Sequence, residues 1–254
     1  MTDGASVGSG ADGQLPVLIL GGYLGSGKTT LLNRLLRQQH GLRLAVLVND
    51  FGSINVDAAL VESSHGETIA LTNGCICCGM ADGFVRVMYR LRERAQQLDG
   101  VIVETSGVAD PAQTAAYATL PGESPAAVIV LVDAERVQKL ARDPLIGRAI
   151  HRQLDAADVA IITKGDLAGP SRVAEIGTWI KTVHPAARVI ATPADEAPIA
   201  LLFEVMQPAE GSELHTAYSR QAPTGAAAHA DHDKLYERAV AIPQNPVTES
   251  ELRR

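Results

Sequence analysis

The stretch Pro16–Leu36, PVLILGGYLGSGKTTLLNRLL, decides the fold. It opens as a short apolar run, VLIL, that closes on two glycines and reads as a buried strand. It ends with Leu31, Leu32, Leu35 and Leu36 at helical spacing, one apolar face of a helix. Between them stands GYLGSGKT, Gly22 to Thr29, which fits G-x-x-x-x-G-K-[ST] in full. Such a loop aims backbone N–H groups at phosphate oxygens, and the helix behind it adds its partial positive end. Gly22, Gly25 and Gly27 permit the bends and the close approach. Lys28 is the residue to neutralise the outer phosphates, and the Thr29 hydroxyl the one to hold Mg²⁺. Ser26 and Thr30 complete the nucleotide-binding set.

Outward from this loop the pattern repeats. LRLAVLVND (42–50), GVIVET (100–105), AAVIVLVD (126–133), DVAIITK (158–164) and ARVIAT (187–192) are further apolar strands. Helical stripes lie at 28–39, at 80–98, near 135–153 and near 171–183, the last holding Trp179 as partly buried packing. Near-continuous apolar strands alternating with amphipathic helices predict an α/β fold: a P-loop NTPase three-layer sandwich with a mostly parallel central sheet. Residues 1–14 are rich in Gly, Ser, Asp and Ala and are expected to be a disordered tail. The nucleotide-binding domain is expected over 15–207 and a flexible, His- and Asp-containing linker over 208–233. Residues 234–254 read as a strand followed by the start of a helix with Thr248 as N-cap, and are expected to be the beginning of an incomplete C-terminal domain.

The 254-residue chain is 46% hydrophobic, 20% charged and 4% aromatic, so its core is built from Val, Ile, Leu and Ala. A formal net charge of −7 argues against general binding to nucleic acid or an anionic membrane. No signal peptide and no apolar run of membrane-spanning length is visible, which makes the cytoplasm the expected address.

Two strand ends suggest what is bound. TKGD, Thr163 to Asp166, closes an apolar strand at the edge where open α/β sheets bind ligands. An aspartate there accepts both N1–H and the exocyclic amine of guanine, and Lys164 can lie along the ring. VIVETSG ends on Glu104, suited to holding Mg²⁺ through water, with the Gly107 N–H near a γ-phosphate. VNDFG ends another strand with Asp50. Lys28, Asp50 and Glu104 are the candidate catalytic residues; each acid has the plainer alternative of a helix cap or a solvated loop residue.

All three cysteines, Cys75, Cys77 and Cys78, fall in LTNGCICCGMADG (71–83). Three thiols cannot all pair, and a reducing compartment favours metal or redox chemistry over structural bridges. Thiolates suit a soft or borderline ion such as Zn²⁺, Cu⁺ or Co²⁺. Three clustered thiols leave a coordination position open, as a carrier requires. A thiol redox switch and a buried turn are the competing readings. His229 and His232, with Asp231 and Asp233 in HADHD, form a weaker metal candidate against an ordinary solvated loop.

GYLGSGKTT, NDFG, CICC, ETSG and TKGD, in that order, resemble the CobW-type subfamily of P-loop GTPases, relatives of the urease and hydrogenase nickel-insertion GTPases. The likeness spans about residues 15–205. It implies GTP hydrolysis coupled to handling a transition metal, zinc or cobalt, with Cys75, Cys77 and Cys78 as ligands and Asp50 as a possible further one. The family commonly has Glu where this chain has Asp50, and usually carries a second C-terminal domain. The implied cofactors are GTP or GDP, Mg²⁺, and Zn²⁺ or Co²⁺. The implied partners are a client metalloprotein and a metal- or nucleotide-dependent dimer. The alternative function is a regulatory nucleotide-binding module whose thiols sense metal or redox state.

Overall fold

In the computed structural model the described residues are 14–38, 41–48, 81–121, 124–192 and 199–206. The chain divides into two units, Met1–Ala222 and Pro223–Arg254, and every described residue lies in the first. Asp50, the three cysteines, His229, His232, residues 1–13 of the expected tail and the expected C-terminal segment fall outside the described residues, while Gln14, at the end of that tail, accepts hydrogen bonds from the Ser124 N–H and hydroxyl.

Six strands form one sheet: β1 (Val17–Gly22), β2 (Leu44–Val48), β3 (Gly100–Glu104), β4 (Ala127–Asp133), β5 (Val159–Thr163) and β6 (Arg188–Ala191). Their order is β2-β3-β1-β4-β5-β6, and every pairing is parallel. The strands are apolar at nearly every position because both faces are covered. On one face Leu18, Leu20, Ile102, Ile129, Leu131 and Ile161 meet α1 (Lys28–Arg37) and α8 (Ile199–Met206). On the other, Ile19, Val103, Val130 and Ile162 meet α2 (Ala81–Glu93), α3 (Pro111–Ala118), α5 (Gly147–Asp155) and α7 (Pro170–Val183). This is the expected three-layer sandwich.

The helices differ from expectation in four places. The single helix expected near 135–153 is two, α4 (Val137–Ala141) and α5. Pro144 has no N–H to continue the ladder, and Asp143 Oδ1 accepts the N–H groups of Leu145 (2.9 Å) and Ile146 (3.2 Å), restarting the chain. The sequence reading missed α3, which begins with an Asp110 carboxylate accepting the Ala112 N–H and with Pro111 in its first turn. It also missed α8, whose sequence IALLFEVM is almost wholly apolar and shows no amphipathic period. The helix expected at 80–98 ends at Glu93 and passes into a 3₁₀ turn at Ala95–Gln97. Trp179 packs, as expected, partly buried, with His151 and His184 at its edges.

At the opposite edge of the sheet from the strand ends, Asp158 is buried, and its Oδ2 accepts the Val128 N–H at 2.7 Å, tying the start of β5 to β4. Burial pushes its carboxyl from 3.8 up to about 6, with the Val128 hydrogen bond opposing the shift. A carboxyl that holds its proton more tightly in the fold than in the unfolded chain stabilises the fold most at low pH. That contribution is lost as pH rises through about 4 to 6. Asp158→Asn keeps an acceptor for Val128 and buries no charge. Its stability relative to the parent chain, from urea unfolding, is expected to improve by about 2–3 kcal/mol between pH 4 and pH 7.

Candidate functional site

The crossovers leave β1 to one side for β2 and β3 and to the other for β4, β5 and β6. The crevice this opens above the C-terminal end of β1 is where parallel α/β sheets bind ligands, and it holds the glycine loop. Register places Leu20 beside Glu104, Gly22 beside Leu131, and Asp133 beside Thr163. The ends of β3, β4 and β5 therefore flank the loop.

Gly22 enters the loop at φ 134°, and a Cβ there would lie 2.5 Å from the Leu131 carbonyl oxygen and 2.6 Å from Ser26 Oγ. Only glycine fits both the backbone and the space. Gly27, at φ 103°, leads into α1, and no side chain caps that helix. No side chain takes up its first-turn N–H groups, no acid lies in the first turn to oppose an anion, and Arg34 and Arg37 stand at the far end. Leu31, Leu32, Leu35 and Leu36 bury the other side of the helix and fix its axis.

Lys28 is buried, and its Nζ donates to the carbonyls of Gly22 (2.7 Å) and Tyr23 (3.4 Å) inside the loop. Burial lowers its pKa, and the Glu104 carboxylate pulls it back up. Glu104, itself buried at the end of β3, accepts the Thr29 hydroxyl at 3.1 Å through Oε1. Lys28, Thr29 and Glu104 thus meet at one place. Thr30 is exposed on the same first turn of α1.

The ETSG segment lies directly on the loop. Thr105 donates to the Leu20 carbonyl from both N and Oγ1, at 3.0 and 3.3 Å. A Cβ on Gly107 would come within 2.6 Å of the Leu24 backbone nitrogen. The hydroxyls of Ser26 and Ser106 are buried with no hydrogen-bond partner among the described residues. Buried polar groups are rarely left so, and two of them beside an uncapped helix start suit an oxygen-rich ligand such as a phosphate chain with its cation.

TKGD is held from two sides. Thr163 Oγ1 donates to the Ser26 carbonyl at 2.8 Å, joining the end of β5 to the glycine loop. Lys164 sits in a left-handed conformation at φ 58°, unusual for a residue with a Cβ. Its Nζ contacts Asp133 Oδ2 at 2.7 Å. Asp166 is exposed in the first turn of α6 (Gly165–Ala168). The structure thus gathers Gly22, Gly25, Ser26, Gly27, Lys28, Thr29, Thr30, Glu104, Gly107, Thr163, Lys164 and Asp166 along one edge of the sheet. Asp50, Cys75, Cys77 and Cys78 lie outside the described residues, among which no group of three or more potential metal ligands occurs.

Two residues of this edge escaped the sequence reading. Asp133 ends β4, is buried, binds Lys164 and accepts the Glu135 N–H at 2.9 Å. An acid closing an apolar strand was the same signal that marked Glu104. Gln153, buried on α5, donates through Nε2 to the carbonyls of Gly107 and Ala109, each at 3.1 Å. No sequence pattern announces that contact.

Comparisons with known proteins agree with this arrangement. The profile of the family described as CobW/HypB/UreG, nucleotide-binding domain, matches residues 16–191. The chain is 32% identical over 253 residues to the zinc chaperone CobW of Pseudomonas aeruginosa, covering 87% of this chain and 65% of that protein. It is 35% identical over 169 residues to the zinc chaperone YjiA of Escherichia coli, covering 61% and 51%. The crystal structure of Zn(II)-bound YjiA GTPase from E. coli superposes with a TM-score of 0.55 at 25% identity, over 77% of this chain and 63% of that one. The chain spans 51% to 65% of the length of these curated relatives.

Gly22→Ala places a methyl against a backbone oxygen that cannot move without breaking the β1–β4 pairing. The expected result is a loss of about 1–3 kcal/mol in urea unfolding. Ser26→Ala, which removes an unpartnered hydroxyl, should leave the stability of the ligand-free protein within about 0.5 kcal/mol.

Proposed function

The chain belongs to the CobW/HypB/UreG family of nucleotide-binding domains, and from that premise we propose that it is a GTP-hydrolysing metallochaperone. The observation that carries the reading is the meeting of Lys28, Thr29 and Glu104 below an uncapped helix start. Backbone N–H groups from Gly25 to Thr30 are suited to cradle the phosphates, and Lys28 to turn its ammonium from the loop carbonyls onto them. Thr29 and Glu104 would hold Mg²⁺, which supplies charge neutralisation on the outer phosphates when bound. Glu104 is a hydroxyl-bonded, buried carboxylate, which fits an acid reserved for a cation or its water. Gly107 offers its N–H, and Gln153 steadies the turn on which that N–H sits. Asp50 stands as the third catalytic candidate.

Asp166, with Thr163 and Lys164, is proposed to read guanine. A carboxylate at that point matches two donors of guanine and none that adenine presents there. The Asp133–Lys164 ion pair and the Thr163–Ser26 hydrogen bond hold this strand end rigid against the phosphate loop, so base and phosphates are read by connected parts. Adenosine triphosphate is expected to bind weaker than guanosine triphosphate by about 10⁴. Titration calorimetry with both nucleotides tests this: comparable affinities would remove the guanine reading. Asp166→Asn should erase most of the preference while leaving the phosphate contacts in place.

The cargo is proposed to be a transition metal held by Cys75, Cys77 and Cys78, with Asp50 as a further ligand and His229 and His232 as weak auxiliary ones. Zinc is favoured over cobalt because two curated relatives are named zinc chaperones and a structural neighbour is described as Zn(II)-bound. In this reading nucleotide state sets metal affinity, and hydrolysis releases the ion to a client metalloprotein in the cytosol, with metal- or nucleotide-driven dimerisation as an accompanying step. No helix among the described residues is long and apolar enough to cross a membrane. Competition titration with a chromophoric chelator should give a higher zinc affinity with a non-hydrolysable GTP analogue than with GDP, and a large loss in Cys77→Ser. Equal affinities in the two nucleotide states would end the coupling.

A further inference from the structure

We infer that Arg136 contacts the bound nucleotide and supplies its phosphate chain with a second positive charge besides Lys28. The inference rests on the GTP reading above and adds to it a residue outside every sequence motif.

Arg136 is carried to the loop by the turn that follows β4. Its backbone N–H donates to the Asp133 carbonyl at 3.2 Å, and its carbonyl accepts the Leu140 N–H at 2.9 Å as α4 begins. The Asp133 carboxylate accepts the Glu135 N–H within the same turn. The Cα of Arg136 is therefore fixed by backbone on both sides. Its side chain extends over the glycine loop: Nη1 lies 3.8 Å from the point a Cβ on Gly25 would occupy. It also borders a small cleft shared by Tyr23 and Leu24 of the loop with Val137, Leu140, Ile150 and Leu154, whose lining is mostly apolar.

The guanidinium is exposed, and among the described residues it forms no ion pair. That sets it apart from Arg43, Arg172 and Arg188, each of which is neutralised by a nearby carboxylate: Asp99 at 3.1 Å, Glu175 at 2.7 Å and Glu204 at 2.9 Å. Asp133, which accepts the Arg136 backbone N–H through its carbonyl in the same turn, has its carboxylate already occupied by Lys164 Nζ and the Glu135 N–H. The result is an uncompensated, planar, five-donor cation held against a loop whose N–H groups are arranged for an anion. A guanidinium beside a phosphate chain makes charge-assisted, often forked hydrogen bonds. Gly25, at φ 77° and with no side chain, leaves the intervening space open.

The test uses the whole chain and displacement of a fluorescent GTP analogue by GTP and by GDP. Arg136→Ala and Arg136→Gln should each weaken both nucleotides by about ten- to hundredfold. Arg136→Lys should recover part of the loss, and the salt dependence of binding should become shallower in the two neutral variants. Lys139→Ala, one turn along α4 and exposed, serves as the charge control and should bind as the parent chain does. Because the Arg136 guanidinium forms no ion pair among the described residues, the thermal unfolding of nucleotide-free Arg136→Ala should stay close to the parent. Parent-like affinity in both neutral variants would overturn the inference while leaving the GTP reading intact. Failure of the parent chain itself to bind GTP would remove the reading and the inference together.

Discussion

An ammonium group inside a protein is costly unless something answers for the lost water. At Lys28 the answer is two loop carbonyls and the nearby Glu104. This constraint organises the site. The carbonyl of Gly22 can reach Lys28 only because the backbone there turns through a conformation that a Cβ would block. Glu104 can reach it only because β3 lies beside β1 in parallel register. The glycine loop, the sheet order and the helix that follows are in this sense one arrangement, built around a single buried charge.

A second charge pair extends that arrangement across the sheet. Asp133 and Lys164 belong to adjacent strand ends, and the Asp133–Thr163 register brings them together. Lys164 holds a left-handed backbone, a strained state that persists where its surroundings over-determine it. Asp133 on one side and the Thr163–Ser26 hydrogen bond on the other do so here. Gln153 does comparable work for the turn after β3, reaching from α5 to two carbonyls. The end of β5 is thus fastened to β4 and the glycine loop, and the turn after β3 to a covering helix.

Most of the fold was legible because its signals are local. A six-residue apolar run, a glycine-rich octapeptide and four spaced leucines declare strand, loop and helix without reference to anything distant. Glu104 and TKGD were legible for a related reason, since polar residues that close buried strands have few structural duties there. The break at Asp143-Pro144 carried a local signal too, and reading 135–153 as one helix overlooked it. α8 was hidden by its own burial, since a helix apolar on almost every side has no period to detect. Asp133 showed the same strand-end signal as Glu104, but the contacts it makes, like those of Gln153, were hidden differently. Their partners lie 31 residues along the chain from Asp133, and 44 and 46 residues from Gln153, and only strand order and helix placement make them neighbours.

The parallel sheet has a consequence in time. Val17 of β1 pairs with Val101, and Leu18 with Ala127, so β1 finds both its neighbours only when the chain has been made about 110 residues beyond it. At a synthesis rate of roughly 5–20 residues per second, VLILGG waits several seconds with its hydrogen-bonding edges and apolar side chains unshielded. Long-range parallel pairing is also slow to nucleate once the partners are present. β1 thus leaves the ribosome well before either of its neighbours exists, and the nascent chain is where its unpaired edges are open to wrong partners.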